Sequence, residues 1–391
     1  MEMFFILDLM SSNINLNHLL DSKTNYCQYF PLCGGCDLLN IENNIYQTKK
    51  KTQLITILKR YKIPVNYIEN IDWIWLESSS RRRIFLKINK NNELGFFKKR
   101  SQDLVSINDC KATTTNINRL IKILSEFIKN QAQNLWLSIA ITEFDNIIDL
   151  IFYSKKSLSF KQNEQLKELA IKNKINISVS CSNNNNSQYI EPLIIHESPQ
   201  IHYNYHKPLI INLVSNVFLQ ATKRGMLSIF SIIRNYISHN FYQKNLKIKV
   251  IDFYSGFGGY SFAIIDLINS SIAFEGYENM VSIANKNSKK YQLNIESFTR
   301  DLFKFPVLSD QINKFDLAII NPPRNGASPQ IKAIAESQIQ YLIYVSCNPI
   351  SWARDSEELI KKGFKIKQIN AIDQFYGTQH IELVVIFSRS C

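Results

Sequence analysis

From about residue 245 onward the chain alternates apolar strands with amphipathic helical stretches, and this rhythm confines its second half to an α/β fold. The predicted strands are Lys247–Tyr254, Ile272–Glu278, Phe315–Asn321, Tyr341–Cys347, Lys365–Ile372 and Ile381–Phe387. Helical patterns separate most of them, and a strand that follows a helical crossover returns parallel to the one before it. The expectation is a Rossmann-like, doubly wound, mostly parallel sheet. Such sheets bind ligands beyond the carboxyl ends of their strands. The strand ends are therefore where the chemistry is sought.

The first half reads differently. Residues 25–50 carry a tight cysteine cluster, followed by a helical pattern with Leu54, Ile55, Ile57 and Leu58. Strand-like alternation begins at Arg81 and includes Arg83 to Ile88 and Leu94 to Phe97. Residues 115–215 mix helical text with β-rich text such as Ile147 to Tyr153, and the polar tract Ser182 to Ser187 predicts an exposed loop. The expected division is a short extension over 1–24, a smaller α+β domain over 25–215 and an α/β domain over 216–391. A length of 391 residues suits two or three domains.

Hydrophobic residues make up 45% of the chain, which excludes a disordered protein. No run approaches the roughly 18 apolar residues of a membrane span. Phe4-Phe5-Ile6-Leu7 has acidic flanks and no basic leader, so a secretory signal is not expected and a cytoplasmic location is. No heptad run demands an oligomer, and a monomer is expected. The net charge is +13, from 46 Lys+Arg and 33 Asp+Glu. That charge suits a polyanionic partner. A Lys-rich composition from an AT-rich genome explains it equally well.

Asp252-Phe253-Tyr254-Ser255-Gly256-Phe257-Gly258-Gly259 follows a predicted strand and opens a helix. Glycines there let the backbone approach a ligand while helix N–H groups point at it. The spacing is G-x-G-G rather than the dinucleotide fingerprint. Glu278 is read as the acid ending the next strand, where a carboxylate can accept both ribose hydroxyls. Asp301 follows the next apolar segment and can face an adenine edge. Together these fit an adenosyl cofactor such as S-adenosylmethionine.

Two later strand ends carry reactive text. Asn321-Pro322-Pro323-Arg324 follows one, and Cys347-Asn348-Pro349 follows another. A thiol at the mouth of a parallel sheet, beside a cofactor pocket, is a candidate nucleophile. Asp373 to Glu382 leads into the last strand and supplies His380 and Glu382 as possible bases.

There are seven cysteines, an odd number that argues against a disulfide framework. Cys27, Cys33, Cys36 and Cys110 offer four thiolates, the count for a [4Fe–4S] cluster or a structural zinc.

The set Phe218-Leu219-Gln220, the glycine loop, Asn-Pro-Pro-Arg, Tyr344-Val345-Ser346-Cys347-Asn348-Pro349 and the terminal His380-Ile381-Glu382 resembles the RNA uracil-5-methyltransferase family. The resemblance runs from Cys27 to Arg389, and the C-x5-C-G-G-C spacing is similar to its iron–sulfur branch, which methylates 23S ribosomal RNA. It implies that Cys347 adds to uracil C6 and Glu382 removes the C5 proton. It implies cofactor contacts by Gln220, Tyr254, Gly259, Glu278, Asp301 and Asn321, and a [4Fe–4S] cluster on Cys27, Cys33, Cys36 and Cys110. It also implies that the target uracil flips out of its stack. Arg81-Arg82-Arg83 and Lys98-Lys99-Arg100 are expected to hold RNA backbone.

The chain departs from the family pattern in four places. Asn321 stands for Asp, Gly259 and Thr222 stand for Asn, and Tyr376-Gly377 stands for Pro-His. Residues 1–24 are too few for the N-terminal RNA-binding barrel of the family's large-subunit member. Two other readings follow: a nitrogen-methylating enzyme suggested by Asn-Pro-Pro-Arg, and an RNA-binding homologue that has lost turnover.

Overall fold

The structure, a computed structural model, describes residues 26–181, 190–205 and 207–389. The expected N-terminal extension, the Ser182 to Ser187 tract and Cys391 lie outside the described residues. Helices α1 (Asn43–Arg60) and α2 (Val65–Glu69) lead into strand β1 (Ile71–Trp75). Strands β2 (Arg83–Ile88), β3 (Leu94–Phe97) and β4 (Leu104–Ser106) precede α3 (Thr115–Lys129). Next come β5 (Trp136–Glu143), β6 (Ile148–Ser154), α4 (Phe160–Asn173), β7 (Asn176–Cys181) and β8 (Ile190–Ile194). The antiparallel pair β9 (Gln200–Tyr203) and β10 (Leu209–Asn212) leads to α5 (Lys223–Asn240). Then follow β11 (Lys249–Phe253), α6 (Gly259–Ile264), β12 (Ser270–Glu275), α7 (Glu278–Tyr291) and β13 (Ile295–Thr299). The chain closes with α8 (Ser309–Ile312), β14 (Leu317–Ile320), α9 (Ser328–Glu336), β15 (Tyr341–Ser346), α10 (Pro349–Lys361), β16 (Lys365–Asp373) and β17 (Glu382–Ser388).

The expected α/β sheet is present, with eight strands in the order β1-β16-β17-β15-β14-β11-β12-β13. All neighbours run parallel except β17, which is antiparallel to both β15 and β16. The apolar strands β14 and β15 are buried on both faces, as a helix-covered parallel sheet requires. Two of the eight strands, β1 and β13, are not among those the sequence predicts. Among the described residues no helix is long and apolar enough to cross a membrane.

The smaller domain is a seven-stranded sheet in the order β4-β3-β2-β5-β6-β7-β8. Helix α3 buries Ile117, Leu120, Ile121, Leu124 and Ile128, the i, i+3, i+4, i+7 stripe of an amphipathic helix. Thr114 caps it by accepting from the Ile117 N–H. This stripe and Leu166, Leu169 and Ala170 of α4 cover one face of the sheet.

The expected boundary at 215 does not follow the sheets. Leu54, Leu58, Ile63 and Ile68 pack into the same core as Ile251, Phe253, Ile320 and Leu383 of the α/β domain. Strand β1 pairs in parallel with β16 at that domain's edge. The β9–β10 pair also packs on this side, with Asn287 of α7 bonded to both the N–H and the carbonyl of Asn212. The apolar face of α1 needs a partner, and the flank of the large sheet supplies it.

The join is reinforced by a buried polar cluster. Lys50 of α1 donates to Asp373 at 2.5 Å and to the His380 carbonyl at 2.7 Å. The Tyr46 hydroxyl donates to Asp373 at 2.7 Å and accepts from the Gly377 N–H at 3.2 Å. Burial pulls the Lys50 ammonium below its ordinary pKa, and Asp373 opposes that pull. Removing one member of such a pair leaves the other charged and dry. Lys50→Ala is expected to lower unfolding stability by about 3–5 kcal/mol, read by urea denaturation. A loss within the range of a surface substitution would remove Lys50 from this role.

Candidate active site

Strands β15 and β17 set the two expected catalytic side chains side by side. Ser346 pairs with Leu383 in an antiparallel register. Continuing that register by one residue sets Cys347 opposite Glu382, and opposed residues share a face. Cys347, Arg324 and Asn348 line a cleft of about 250 Å³, together with Lys50 and Gln53 from α1 and His380 before β17. Glu382 lies beneath this surface, 2% exposed.

The electrostatics follow from that placement. Burial pushes the Cys347 thiol above its ordinary pKa, and Glu382 adds to the rise. Arg324 pulls it back by charge and by a hydrogen bond. Burial pushes Glu382 up to about 8, opposed by a hydrogen bond from Gln374 and by the charge of Arg324. One guanidinium thus favours both the thiolate and the carboxylate. Asn348 anchors the Arg324 backbone by donating to its carbonyl at 2.8 Å.

Gln374 is the hub beneath the site. Its amide donates to Glu382 at 2.7 Å and to the Gln220 side-chain oxygen at 2.8 Å. Gln220 in turn donates to the Tyr260 hydroxyl at 3.1 Å. Gly225 makes room for this chain: a Cβ there would lie 2.7 Å from the Gln374 oxygen. Thr222 caps α5 by accepting from the Gly225 N–H at 2.9 Å, work that the Asn of the family pattern can also do.

The glycine loop lies at the same sheet edge, two strands from β15 and so about 10 Å away. Tyr254 has φ of +57°, a rare conformation outside glycine, and Gly256 and Gly258 also have positive φ. The Tyr254 hydroxyl is buried without a hydrogen-bond partner, and a Cβ on Gly256 would point into open space. Open space over Gly256 and an orphaned hydroxyl fit a ligand laid across the loop. Gly259 carries its carbonyl to the Tyr203 hydroxyl, and a Cβ there would lie 3.3 Å from the Phe257 ring. A side chain at 259 would therefore press on the Phe257 ring.

The acid at the end of β12 is Glu275, not Glu278. Strand β12 stops three residues earlier than expected, and Glu278 becomes the exposed first residue of α7. Glu275 is 8% exposed and accepts from the Gly256 N–H at 2.9 Å and the Tyr277 N–H at 3.0 Å. Asp301 is exposed past β13 and accepts from the Phe303 N–H at 3.0 Å. Asn321 follows β14 and donates its backbone N–H to the Phe253 carbonyl at 3.2 Å.

Cys27, Cys33, Cys36 and Cys110 line one cavity of about 50 Å³. Among the described residues no three Cys, His, Asp or Glu side chains converge tightly enough to hold a metal ion. The cysteine loop docks on the segment that leads to Glu382. The N–H groups of Asp37 and Leu38 donate to the Gly377 carbonyl at 2.7 and 2.8 Å. A Cβ on Gly377 would lie 3.2 Å from the Cys36 sulfur, and the Tyr376 ring packs on Tyr46. The Tyr-Gly departure from the family pattern thus has its own partners.

Part of the arginine run expected to hold RNA backbone is engaged inside the fold. Arg82 is 3% exposed and donates to the Gln220 carbonyl at 3.2 Å. Arg83 donates to the Leu219 carbonyl at 2.8 Å. Arg81 borders the cysteine cavity. Lys98 and Lys99 are paired with Asp103 and Asp37. Arg82 and Arg83 hold the Gln220 segment against the smaller domain.

The family model described as tRNA (uracil-5-)-methyltransferase matches residues 43–390. The chain belongs to that family. It is 25% identical over 387 residues to a 23S rRNA (uracil(1939)-C(5))-methyltransferase of Shewanella woodyi, covering 95% of this chain and 84% of the relative. It is 26% identical over 391 residues to a protein of the same description from Histophilus somni, covering 94% and 82%. Among solved structures it is similar to a Pyrococcus abyssi tRNA (uracil-54, C5)-methyltransferase in complex with S-adenosyl-L-homocysteine. The TM-score is 0.68 at 21% identity, over 91% of this chain and 86% of that one. The expected fold and enzyme class, an S-adenosylmethionine-dependent RNA uracil-5-methyltransferase, stand.

The raised pKa of Glu382 has a signature in stability. Its native value of about 8 lies above the ordinary 4.5, so between those values the native state holds more protons than the unfolded state. Native stability from this group is lost as pH rises through that window. Glu382→Gln removes the titration. Its thermal midpoint is expected to gain on the wild type progressively from about pH 5 to about pH 8, the window between the unfolded and native values. A gain independent of pH would mean the carboxyl is not held protonated by burial.

Proposed function

We propose that the chain methylates C5 of a uracil in 23S ribosomal RNA, with Cys347 as nucleophile and Glu382 as base. The observation that carries this reading is the β15–β17 register, which, continued by one residue, sets Cys347 opposite Glu382, with Arg324 and Cys347 lining the cleft above that carboxyl. The 23S target rests on the two bacterial relatives, whose descriptions print it.

Uracil C5 is a weak carbon nucleophile. Addition of the Cys347 thiolate at C6 forms an S–C6 bond and moves the ring electrons into an enolate, which makes C5 electron-rich. S-adenosylmethionine, when bound, supplies the electron-poor methyl that C5 takes. Glu382 then accepts the C5 proton, and the returning electron pair expels the Cys347 sulfur. Arg324 favours the thiolate before addition and steadies it again on release. A carboxyl whose pKa is lifted toward the working pH is a stronger base than an exposed one, and Gln374 holds it in place. Glu275 is the acid suited to the cofactor ribose, with Tyr254 and the Gly256 cradle beside it. Asp301, Asn321 and Gly259 border the same pocket in this reading. Gln220 acts from beneath, through Gln374.

The four cysteines Cys27, Cys33, Cys36 and Cys110 are proposed to hold a [4Fe–4S] cluster. Support comes from the cavity that all four line and from the spacing shared with the iron–sulfur branch. Its work there would be to fix the loop that clasps Gly377. Assay of iron and acid-labile sulfide in anaerobically prepared protein tests this. Absence of both would refute the cluster.

RNA carrying 5-fluorouracil at the target has no C5 proton for Glu382 to remove. Wild-type protein is expected to form a covalent protein–RNA adduct with it that survives denaturing gels. Cys347→Ala is expected to form none and to lose methyl transfer by about 1,000-fold or more, the scale of nucleophile loss in enzymes that use covalent catalysis. Nitrogen-methylated product, insensitive to Cys347, would instead favour an amine-type mechanism. Mapping 5-methyluridine in 23S ribosomal RNA and tRNA from cells with and without the gene identifies the target.

A further inference from the structure

The seven-stranded sheet has one face covered by α3 and α4 and one face partly open. Along β2 the alternation is strict. Ile84 and Leu86 point to the helices, and Arg83, Phe85 and Lys87 point away from them. Phe85 and Phe97 are 42% and 37% exposed. The rings and cations on this face form a continuous row. Phe85 and Tyr153 lie 5.4 Å apart between centroids. The Lys87 ammonium sits 4.5 Å from the Phe85 ring and 6.0 Å from the Phe97 ring. The Arg83 guanidinium lies 4.9 Å from the ring of Phe218.

The neighbours keep this row clear. Lys87 is opposite Gly95 on one side and Ser138 on the other, and Phe85 is opposite Ala140. A side chain on Gly95 would collide with the Val105 backbone. Among the described residues of β2, β3, β5 and β6, the acid on this face is Asp149, which is buried beneath Ser215. The exposed charge of the row is therefore positive. At one end Phe218 is 62% exposed and lies two residues before Gln220, which is bonded into the Gln374–Glu382 network.

We propose that this open sheet face is a stacking platform for single-stranded RNA flanking the target uracil. The inference rests on the RNA-methyltransferase reading above. Aromatic rings on a sheet surface stack bases without regard to sequence, and adjacent cations meet the phosphates between them. The row has room for roughly two or three bases, as other sheet-based RNA modules do. Charge decides against an apolar protein partner, since Lys87 stands between the two phenylalanines. The chain connection from Phe218 to Gln220 links the platform to the residues beneath Glu382.

The test uses the full-length protein with its cofactors and two RNA probes. Binding is read with a fluorescein-labelled oligouridine of about 20 nucleotides, and methyl transfer with 23S ribosomal RNA transcribed in vitro. Phe85→Ala with Phe97→Ala is expected to weaken oligouridine binding about tenfold or more. It is expected to raise KM for ribosomal RNA by a similar factor while kcat stays within about twofold, because no platform residue touches the reacting atoms. Phe85→Leu keeps apolar area without a π-face and is expected to lose binding too, whereas Phe85→Trp is expected to keep it. Thermal midpoints equal to wild type establish that the variants are folded. Wild-type binding and KM in the double variant, or in Phe85→Leu, would overturn the platform. Wild-type protein that binds oligouridine through these residues yet transfers no methyl would instead refute the methyltransferase reading and leave the platform standing.

Discussion

The antiparallel insertion of β17 between β15 and β16 is the constraint on which the rest of the site depends. In a wholly parallel sheet, the start of a strand lies at the edge opposite to the ligand side. Reversing one strand brings its first residue, Glu382, to the ligand edge beside the residue that follows β15. Backbone ladder bonds on both sides of β17 hold that residue more rigidly than a loop could. The thiol and the carboxyl are therefore positioned by sheet pairing, with Gln374 and Arg324 adjusting their charge.

Much of this is legible in the sequence, because strand-end chemistry is local. A cysteine after a buried apolar run, a glycine loop before a helix and a carboxylate opening the last strand each announce themselves within a short stretch of chain. The errors share a different cause. The apolar text around Phe274 does not mark where β12 stops, so the pattern points to Glu278 as the acid facing the glycine loop, a place that Glu275 holds. Arg82 and Arg83 look like surface charge, because nothing in their own segment reveals that carbonyls at 219 and 220 need donors. Gln374 and Lys50 carry no local signal at all. Their roles arise from partners brought together by folding.

The departures from the family pattern are answered by local compensation. Gly259 is matched by the Phe257 ring, which takes up the space beside it. Thr222 keeps a helix cap with its hydroxyl. Tyr376 and Gly377 find partners in Tyr46, Asp37, Leu38 and Cys36, all supplied by the N-terminal part of the chain. The cysteine loop and the segment leading to Glu382 are thus mechanically linked, although they sit in different parts of the sequence. For Asn321 the structure offers no comparable compensation.

The clasp between α1 and the far end of β16 joins residues 323 positions apart in sequence. During synthesis the Tyr46 and Lys50 side chains of the early helix must therefore wait for their partner until Asp373 has left the ribosome. Contacts of such long range form slowly, because loop closure has to precede them. An unfinished chain would keep its reactive centre unassembled and its hydrophobic flank open to chaperones. Catalytic competence is in this way reserved for a polypeptide translated through its last strand.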